Sequence, residues 1–374
     1  MNFDFSDEQK QLRDQARRFL ADKCPPSAVR AVLEGGQAYD RDLWVGLGEM
    51  GFLGAAIPEE YGGVGLGHLE LCVIAEELGR AIAPVPVASS IYLAAEFLMA
   101  AGSEAQKQAW LPKLASGETI GTFAYGEGLG RVTEKSIKAS VSGGKLSGAK
   151  TPVADGDIAH LAVVAAREGG KVSLYLVDLT GPGVTRATLD TIDPTRGQAT
   201  VTFKDASAEL LGVAGDGWRL AAEVMDRAAI LLAFEQVGGS DRALEMGRDY
   251  ALDRMAFGRP IGSFQAVKHM LADMYVAATL ARSNAYYGAW ALSTGSSELP
   301  VAAATARVSA TQAFQHCSKN NIQVHGGMGF TWAFDCHLFY RRSNGLALAL
   351  GSQSTWEDLL IDRLRQRNDA PAAA

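Results

Sequence analysis

Apolar residues recur at helical spacing through the first third of the chain. Ser6 and Gln9 form a capping-box pattern, and the apolar residues that follow return every three or four positions. Ser103 and Gln106 repeat the same start signal later in this region. The pattern therefore predicts a series of helices over residues 1–118.

Near Gly117 the pattern changes to short β-branched runs separated by glycine-rich turns. These runs are TIGTFAY, IKASVS, AHLAVVAA, KVSLYLVD and ATVTFKD. Because no segment of helix length separates them, we predict a compact antiparallel β-domain over residues 119–213. A doubly wound sheet, in which strands and helices alternate, is excluded.

Helical periodicity returns after Gly215–Trp218 and holds almost to the end. It predicts a long helix interrupted at Gly238-Gly239, a second helix over Val301–Cys317 and a frayed tail, NDAPAAA. The fold class is therefore α+β and multidomain. The predicted domains are a helical domain (1–118), a β-domain (119–213) and a C-terminal helical bundle (214–374).

Composition narrows the possible partners. The chain has 374 residues, of which 48% are hydrophobic, so it can bury large cores, and its length suits two or three domains. The net charge is −7 and the basic residues are scattered, which argues against nucleic-acid and membrane-surface partners. No apolar run approaches a membrane span and the N-terminus lacks a signal-peptide pattern, so a cytoplasmic protein is expected.

Cysteines and histidines give no sign of a metal site. The four cysteines have no CxxC spacing, which predicts buried thiols rather than a disulfide framework or a zinc site. The six histidines are spread through the chain without the spacing of metal ligands.

Two glycine clusters invite comparison with dinucleotide-binding loops. They are GGVGLG (62–67) and GEGLG (126–130), but in both the third glycine comes one residue early, and His68 and Arg131 hold the required positions. Neither cluster lies between a strand and a crossover helix. The first is better interpreted as a tight connection within PEEYGGVGLG.

The stretch DRMAFGRPIGSFQAVKHM (253–270) joins two predicted helices at a Gly-Arg-Pro break. Arg254 and Phe257 are one turn apart, so both are predicted to leave the same helix face. Ser263 is expected to cap the second helix. An arginine beside an aromatic ring at such a corner suits a phosphate or a planar ligand. A plain helix hairpin with a surface arginine is the alternative.

A second candidate segment, QVHGGMGF (323–330), follows the alanine-rich helix. Its glycines allow close approach of a ligand to the backbone, and Gln323 can bind a polar edge. A loop that only ends the helix is the alternative. Two such segments in one helical domain favour a shared ligand.

These segments, in this order, resemble the acyl-CoA dehydrogenase family over nearly the whole chain. The resemblance rests on PEEYGGVGLG, SEAQKQAWLPKLASGE, SGAKTPVADGDIAHLAVVAA, AELLGVAGDGW, RMAFGRPIGSFQAVKHMLADM and QVHGGMGF. It implies a helical domain, a central β-domain and a C-terminal four-helix bundle, assembled as a dimer of dimers. It also implies FAD as cofactor, an acyl-CoA substrate and an electron-transfer flavoprotein as partner. A carboxylate would take the α-proton while a hydride passes from Cβ to flavin N5.

The resemblance also implies which residues contact the cofactor. The corner and the glycine segment would bind FAD held mainly by a neighbouring subunit: Arg254 at the pyrophosphate, Phe257 and Ile261 packing, Gln265 hydrogen-bonding, and Gln323, Gly326 and Gly327 at the adenosine. The chain's own flavin pocket would include Tyr125, Gly126, Ala154 and Ser352.

The β-domain departs from the family pattern at the flavin. Gly126 stands where the family has a threonine that touches the flavin, although Glu127 is kept. Residues 152–154 read P-V-A where the family has W-I-T or W-I-S, so a tryptophan and a hydroxyl near N5 are both missing. Backbone N–H groups remain available to bind the ring.

The usual catalytic base is also missing. Leu350 stands at the glutamate of the family's E-G-T motif, and Ala228 stands at the position that a minority of members use. Neither side chain accepts a proton. The catalytic base is therefore unknown, and three other carboxylates are weak candidates: Asp226, Glu235 and Asp335.

Each of these carboxylates has a plainer interpretation. Asp226 can form a solvated pair with Arg227. Glu235 lies in the apolar context LLAFEQVGG, where it is either satisfied locally or functional. Asp335 has Arg341 and Arg342 as possible partners.

Three functions follow from these observations. The first is a complete FAD-dependent acyl-CoA dehydrogenase, a homotetramer with an atypical base. The second is the base-lacking subunit of an α2β2 acyl-CoA dehydrogenase, since the chain keeps the residues that act on a neighbour's FAD and lacks those that act on its own. The third is a flavin oxidase or monooxygenase on the same fold.

Overall fold

The computed structural model describes residues 5–369, and its elements follow the predicted order of helices, strands and helices. Residues 370–374 of the predicted frayed tail lie outside the described residues.

Capping boxes start two of the N-terminal helices. Ser6 and Ser103 are N-caps, and each forms the predicted capping box, with Gln9 and Gln106 respectively. A π-helical turn at Ser90–Ala95 joins two short helices. The helices of this region are α1 (Asp7–Lys23), α2 (Pro26–Leu33), α3 (Arg41–Glu49), α4 (His68–Arg80), α5 (Val87–Ser89), α6 (Glu96–Ala101) and α7 (Glu104–Ser116).

Within residues 5–369, eight strands of the middle region form one sheet. They are β1 (Gly121–Ala124), β2 (Ser140–Ser142), β3 (Lys145–Ala154), β4 (Leu161–Glu168), β5 (Lys171–Asp178), β6 (Val184–Thr188), β7 (Gln198–Ser207) and β8 (Glu209–Leu211). The order is β6-β7-β3-β2-β4-β5-β8, with β1 beside β4. The sheet is largely antiparallel, as expected, but β1 runs parallel to β4. The apolar runs of β4 and β5 are buried and form its core.

The C-terminal region is helical apart from one small hairpin. Its elements are α8 (Gly217–Asp253), β9 (Met255–Ala256), β10 (Arg259–Pro260), α9 (Gln265–Ser293), α10 (Leu299–His325), α11 (Cys336–Leu348) and α12 (Gln353–Asp369). Short 3-10 turns at Ile261–Ser263 and Gly326–Phe330 precede α9 and follow α10.

The predicted interruption at Gly238-Gly239 is wrong, because α8 is continuous over 37 residues. A Cβ on Gly238 would lie 1.9 Å from the carbonyl oxygen of Glu76, and one on Gly239 would lie 2.4 Å from the ring of Phe314. The two glycines therefore let neighbouring segments approach the helix rather than breaking it.

Residues distant in sequence assemble into two compact units. One contains the described parts of Met1–Val29, Cys72–Ala83 and Ala229–Ala374, and the other contains Arg30–Leu71 and Pro84–Ala228. The predicted three-domain boundaries at residues 118 and 213 stay a prediction.

The four cysteines (Cys24, Cys72, Cys317 and Cys336) are free and buried, as the sequence predicted. Between residues 5 and 369, no helix is long and apolar enough to cross a membrane. In the same range, no group of three or more His, Cys, Asp or Glu side chains could hold a metal ion.

Candidate functional site

The segment Arg254–Gln265, called here the corner segment, is built on a hairpin rather than on a helix face. Because α8 ends at Asp253, the prediction that Arg254 and Phe257 leave one helix face is wrong. Instead, β9 and β10 pair, and Phe257 and Gly258 form the loop between them, with φ angles of 53° and 76°. Positive φ at both loop residues is typical of the type I′ turn, which suits the twist of a hairpin.

Phe264 anchors the corner segment. The Arg259 guanidinium lies 4.1 Å from the centre of the Phe264 ring, and the Phe257 ring meets it edge-on at 6.1 Å. The predicted cap by Ser263 is wrong, since its hydroxyl donates to the carbonyl of Pro260 at 2.7 Å and α9 has no side-chain cap. The corner is therefore held by ring contacts and its own backbone.

The corner segment presents polar groups that the chain does not use internally. Arg254 and Gln265 are exposed, and neither side chain has a hydrogen-bond or ion-pair partner among the described residues. Phe257 is 95% exposed at a positive φ, which packing within the chain does not explain. Ile261 is half-buried and its amide donates to the carbonyl of Arg254 at 2.8 Å. These groups are available to a ligand or another chain.

The segment Gln323–Phe330, called here the glycine loop, leaves open space beside two of its glycines. A Cβ on Gly326 or Gly327 would meet nothing within 4 Å, whereas one on Gly329 would lie 2.6 Å from the carbonyl oxygen of Ile322. Gly329 is therefore required by packing, but Gly327 is not, and its φ is not positive. Gln323 is exposed. The loop offers backbone to a close-approaching ligand.

A ring stack connects the end of α8, which leads into the corner segment, with the glycine loop. Tyr250, one helical turn before Arg254, stacks on His325 with ring centres 4.1 Å apart. The structure thus brings together the two segments that the sequence paired only by residue type.

The β-domain brings together the other group of predicted cofactor contacts. Gly126 and Thr151 are joined by a backbone hydrogen bond of 2.8 Å, and Gly126 leaves little room, since a Cβ there would lie 3.2 Å from the Thr151 oxygen. The carbonyl of Ala154 accepts a hydroxyl hydrogen bond from β1. The Tyr125 ring stacks on Phe123 at 4.9 Å. Gly126 and Ala154 have no side-chain hydroxyl to offer a cofactor.

A buried ion pair fixes the loop after Gly126. Lys150 is fully buried and donates to Glu127 at 2.7 Å, and the amides of Lys138 and Ala139 donate to the same carboxylate. Burial opposes ionisation of Glu127, but these donors outweigh it and keep the pKa of this carboxyl below its usual range. Burial also lowers the pKa of Lys150. Glu127 therefore has a structural role, and its ion pair with Lys150 orients the neighbouring backbone.

Both positions that the resemblance predicts for the usual base are apolar and buried. Leu350 is 8% exposed and Ala228 is fully buried. Ser352, a predicted cofactor contact, precedes α12, and its hydroxyl accepts the amide of Thr355 at 3.3 Å, as a helix cap does. None of these side chains is a general base.

The turn that carries Leu350 is nevertheless held firmly. Leu350 has a φ of 61°, and its carbonyl accepts the indole N–H of Trp356 at 3.0 Å. Arg307, fully buried, donates to the carbonyls of Leu346 and Ala349. A left-handed leucine in such a tightly held turn is a feature typical of functional sites.

Of the three weak candidates, Asp226 differs most from its plainer interpretation. It is buried, 5% exposed, so the prediction of a solvated pair is wrong. The neighbouring Arg227 instead pairs with Glu223 at 2.9 Å and lies 3.5 Å from Glu96. Of the three candidates, Asp226 is the nearest in sequence to an expected base position, Ala228, and it is buried.

The other two candidates lie in the unit that contains α9–α12. Glu235 is fully buried, with Arg342 at 3.9 Å. Arg342, one of the two possible partners predicted for Asp335, also donates to the backbone carbonyls of Ile82 and Ala83. Asp335 is half-buried at the start of α11.

Sequence reasoning missed a cluster around Glu96. This carboxylate is fully buried at the start of α6, and it accepts from His68 Nε2 at 2.7 Å and lies 3.5 Å from Arg227. Burial opposes charge on His68, but the charge of Glu96 and its hydrogen bond outweigh it and raise the pKa of the imidazole. No sequence signal pointed to this cluster, because its members are far apart along the chain.

Comparison with known proteins identifies the class. Residues 6–118 match the family described as acyl-CoA dehydrogenase, N-terminal domain, and residues 215–364 match acyl-CoA dehydrogenase, C-terminal domain. The chain belongs to the acyl-CoA dehydrogenase family, whose members are FAD-dependent flavoprotein oxidoreductases that dehydrogenate acyl-CoA thioesters in lipid metabolism.

Individual relatives are similar to this chain over nearly its whole length. Acyl-CoA dehydrogenase IpdE2 of Mycobacterium tuberculosis is 33% identical over 347 residues, covering 92% of this chain and 94% of that protein. The ChsE4-ChsE5 complex of the same species has a TM-score of 0.89 at 28% identity and covers 100% of both chains. A variant of the Tcur3481-Tcur3483 steroid ACAD has a TM-score of 0.88 at 29% identity, covering 97% of this chain and 99% of that chain.

The residues of this chain fit one half of FAD better than the other. Arg254, which has no side-chain partner among the described residues, suits the pyrophosphate, and the open backbone at Gly326 and Gly327 suits the adenosine. At the flavin end, Gly126 and Ala154 contribute only backbone groups. The nucleotide half therefore fits, and the flavin half is reduced.

Proposed function

We propose that this chain is the base-lacking subunit of a two-chain acyl-CoA dehydrogenase. It supplies the corner segment and the glycine loop to FAD that a second, base-bearing chain binds at the flavin end. The observation that carries the proposal is the pair of base positions, Leu350 and Ala228, which are buried and apolar.

The chemistry of the corner supports this division. Arg254 and Gln265 have no side-chain partners among the described residues, and Phe257 is almost fully exposed, so all three are free to contact a second chain's cofactor. Two similar solved structures, ChsE4-ChsE5 and Tcur3481-Tcur3483, are named as pairs of chains, which supports a similar pairing here. FAD held at its nucleotide half by Arg254 and Gln265 would supply the hydride acceptor for dehydrogenation of an acyl-CoA.

The test is purification of the chain alone and with each paralogous acyl-CoA dehydrogenase chain of its source organism. We expect the chain alone to be colourless and inactive, and one co-purified pair to be yellow and to reduce a dye with an acyl-CoA. In that pair, Arg254→Ala should weaken FAD binding about tenfold or more, because a charge-assisted contact to phosphate is lost.

Arg248→Ala is the matched control, since Arg248 is also exposed near the end of α8 but pairs with its neighbour Asp249. It should leave FAD affinity unchanged. A yellow chain that reduces the dye on its own would overturn the proposal.

A second candidate is a complete dehydrogenase with Asp226 as its base. The burial of Asp226, two residues before Ala228 on α8, favours this alternative over the other carboxylates. If the chain alone is active, Asp226→Asn should abolish dye reduction while FAD stays bound. Rapid reoxidation of the flavin by air, with oxygen in the product, would instead indicate the oxidase or monooxygenase.

A further inference from the structure

Three rings connect the two nucleotide-binding segments of the proposed function. Tyr250 stacks on His325 at 4.1 Å with ring planes 22° apart, and Phe334 meets both rings edge-on, at 5.8 Å and 5.5 Å. We call Tyr250, His325 and Phe334 the aromatic bridge. One ring comes from α8, one from the end of α10, and one from the stretch after the glycine loop.

His325 is fixed within the bridge by its own hydrogen bond. The ring is 6% exposed, and Nδ1 lies 2.8 Å from the carbonyl oxygen of Asn321, one turn earlier on α10. Because a carbonyl only accepts, Nδ1 carries the proton. Burial lowers the pKa of His325, which favours the neutral form of this ring. The residue before Gly326 therefore has a single orientation.

Tyr250 is tied in the same way to the corner segment. Its carbonyl accepts the amide of Arg254 at 2.8 Å, and the carbonyl of Arg254 accepts the amide of Ile261 at 2.8 Å. The backbone of Tyr250 is thus connected through hydrogen bonds to both ends of the hairpin.

Apart from the ring contacts of Phe264 within the corner segment, few contacts hold the binding groups themselves. A Cβ at Gly258, Gly326 or Gly327 would meet no atom within 4 Å, so the backbone there is not packed against its surroundings. The spacing between the arginine and the glycine loop depends instead on the rings behind them. A dinucleotide that contacts both segments needs that spacing fixed before it binds.

We infer that Tyr250 and His325 are positioning residues for FAD: their stack sets the distance between the corner segment and the glycine loop, and thereby the affinity for the nucleotide half of the cofactor. This inference rests on the proposed function, because it concerns FAD bound across two chains. It predicts that the ring of Tyr250 matters and that its hydroxyl does not.

The test measures FAD affinity by flavin fluorescence after reconstitution of the deflavinated two-chain complex. Tyr250→Leu should weaken FAD binding about tenfold, the scale of a lost aromatic stack. Tyr250→Phe keeps the ring and should restore affinity to within about twofold of the unmodified complex. His325→Leu should resemble Tyr250→Leu, which keeps the test valid if one variant fails to fold.

A control separates positioning from general destabilisation. Phe314→Leu removes a fully buried ring from α10 of the same unit, away from the bridge. It should lower the melting temperature but leave FAD affinity unchanged at a temperature where all variants are folded. Hydrogen exchange in residues 323–330 of the FAD-free complex should rise in Tyr250→Leu and stay constant in Phe314→Leu.

The outcomes distinguish the two proposals. If Arg254→Ala weakens FAD binding and Tyr250→Leu does not, the aromatic bridge has no positioning role and the proposed function stands. If neither variant weakens binding, FAD does not contact this chain as proposed and both fail. Equal weakening by Phe314→Leu would show that loss of stability alone explains the effect, and the inference would be overturned.

Discussion

Lys150 shows how one side chain supports the loop that carries Gly126, a predicted cofactor contact. Its ammonium is fully buried and reaches both the carboxylate of Glu127 and the carbonyl of Tyr125, at 2.7 Å and 3.3 Å. A buried charge is tolerated only when it is paired and hydrogen-bonded. The pair therefore fixes the backbone on both sides of Gly126, where the family's threonine is absent.

Lys150→Met is expected to cost about 2 kcal/mol of unfolding free energy, because it leaves the largely covered Glu127 carboxylate without its cation. Denaturant unfolding of the unit's β-sheet, followed by circular dichroism, measures this cost. The double variant Lys150→Met with Glu127→Gln should recover part of it, since no uncompensated charge remains. A single variant as stable as the unmodified protein would show that the pair contributes nothing.

At the scale of elements, features that depend on a few consecutive residues were predicted well, and features that depend on distant residues were not. The capping boxes at Ser6 and Ser103 could be predicted because four consecutive residues contain the whole signal. Strand β3 was missed because Gly148 and Pro152 indicate breaks, whereas the strand absorbs them in register shifts against β7. A strand with bulges loses the two-residue periodicity on which sequence prediction depends.

The candidate site shows the same limit. Residue types at the corner and in the glycine loop were found from the sequence, but the positive φ angles of Phe257 and Gly258 were not, because a hairpin with two-residue strands has no periodicity. The Glu96 cluster joins residues 28 and 131 positions apart, which one sequence does not reveal.

That cluster links three helices and makes a prediction about pH. His68 begins α4, Glu96 begins α6 and Arg227 lies on α8. Since the pKa of His68 is raised above its ordinary value of 6.5, the folded protein binds this proton more tightly than the unfolded chain. The contribution of His68 to stability is complete below pH 6.5 and is lost as pH rises through the folded-state pKa.

His68→Gln should therefore flatten the fall in unfolding free energy above pH 6.5. Urea unfolding at a series of pH values measures this slope. His269→Gln, at an exposed histidine on α9, is the control and should keep the slope of the unmodified protein. An unchanged slope in His68→Gln would show that His68 binds its proton equally in both states.

At the scale of the whole molecule, the exposed apolar residues support the two-chain assembly proposed above. Several of the largest lie in or beside the corner segment and the glycine loop: Leu252, Met255, Phe257, Phe330 and Trp332. Clusters of this kind are rare on monomers and common where another chain binds. They surround the groups that the proposed function assigns to a second chain's cofactor.

Replacing the two most exposed aromatic rings tests that link. Phe257 and Phe330 are 95% and 81% exposed, so Phe257→Ser with Phe330→Ser removes apolar surface without opening a cavity in this chain. This chain has a mass of 39.6 kDa, and the proposed complex is a tetramer of chains of about this size. In light scattering, the double variant should shift the complex from the tetramer towards smaller species. The FAD affinity of the complex should fall as well. Val213→Ser, at a 70% exposed residue of the other unit, is the matched control and should leave the mass unchanged. If the double variant keeps both the mass and the cofactor, the exposed rings do not lie at the contact between chains, and Arg254 would have to reach FAD within its own chain.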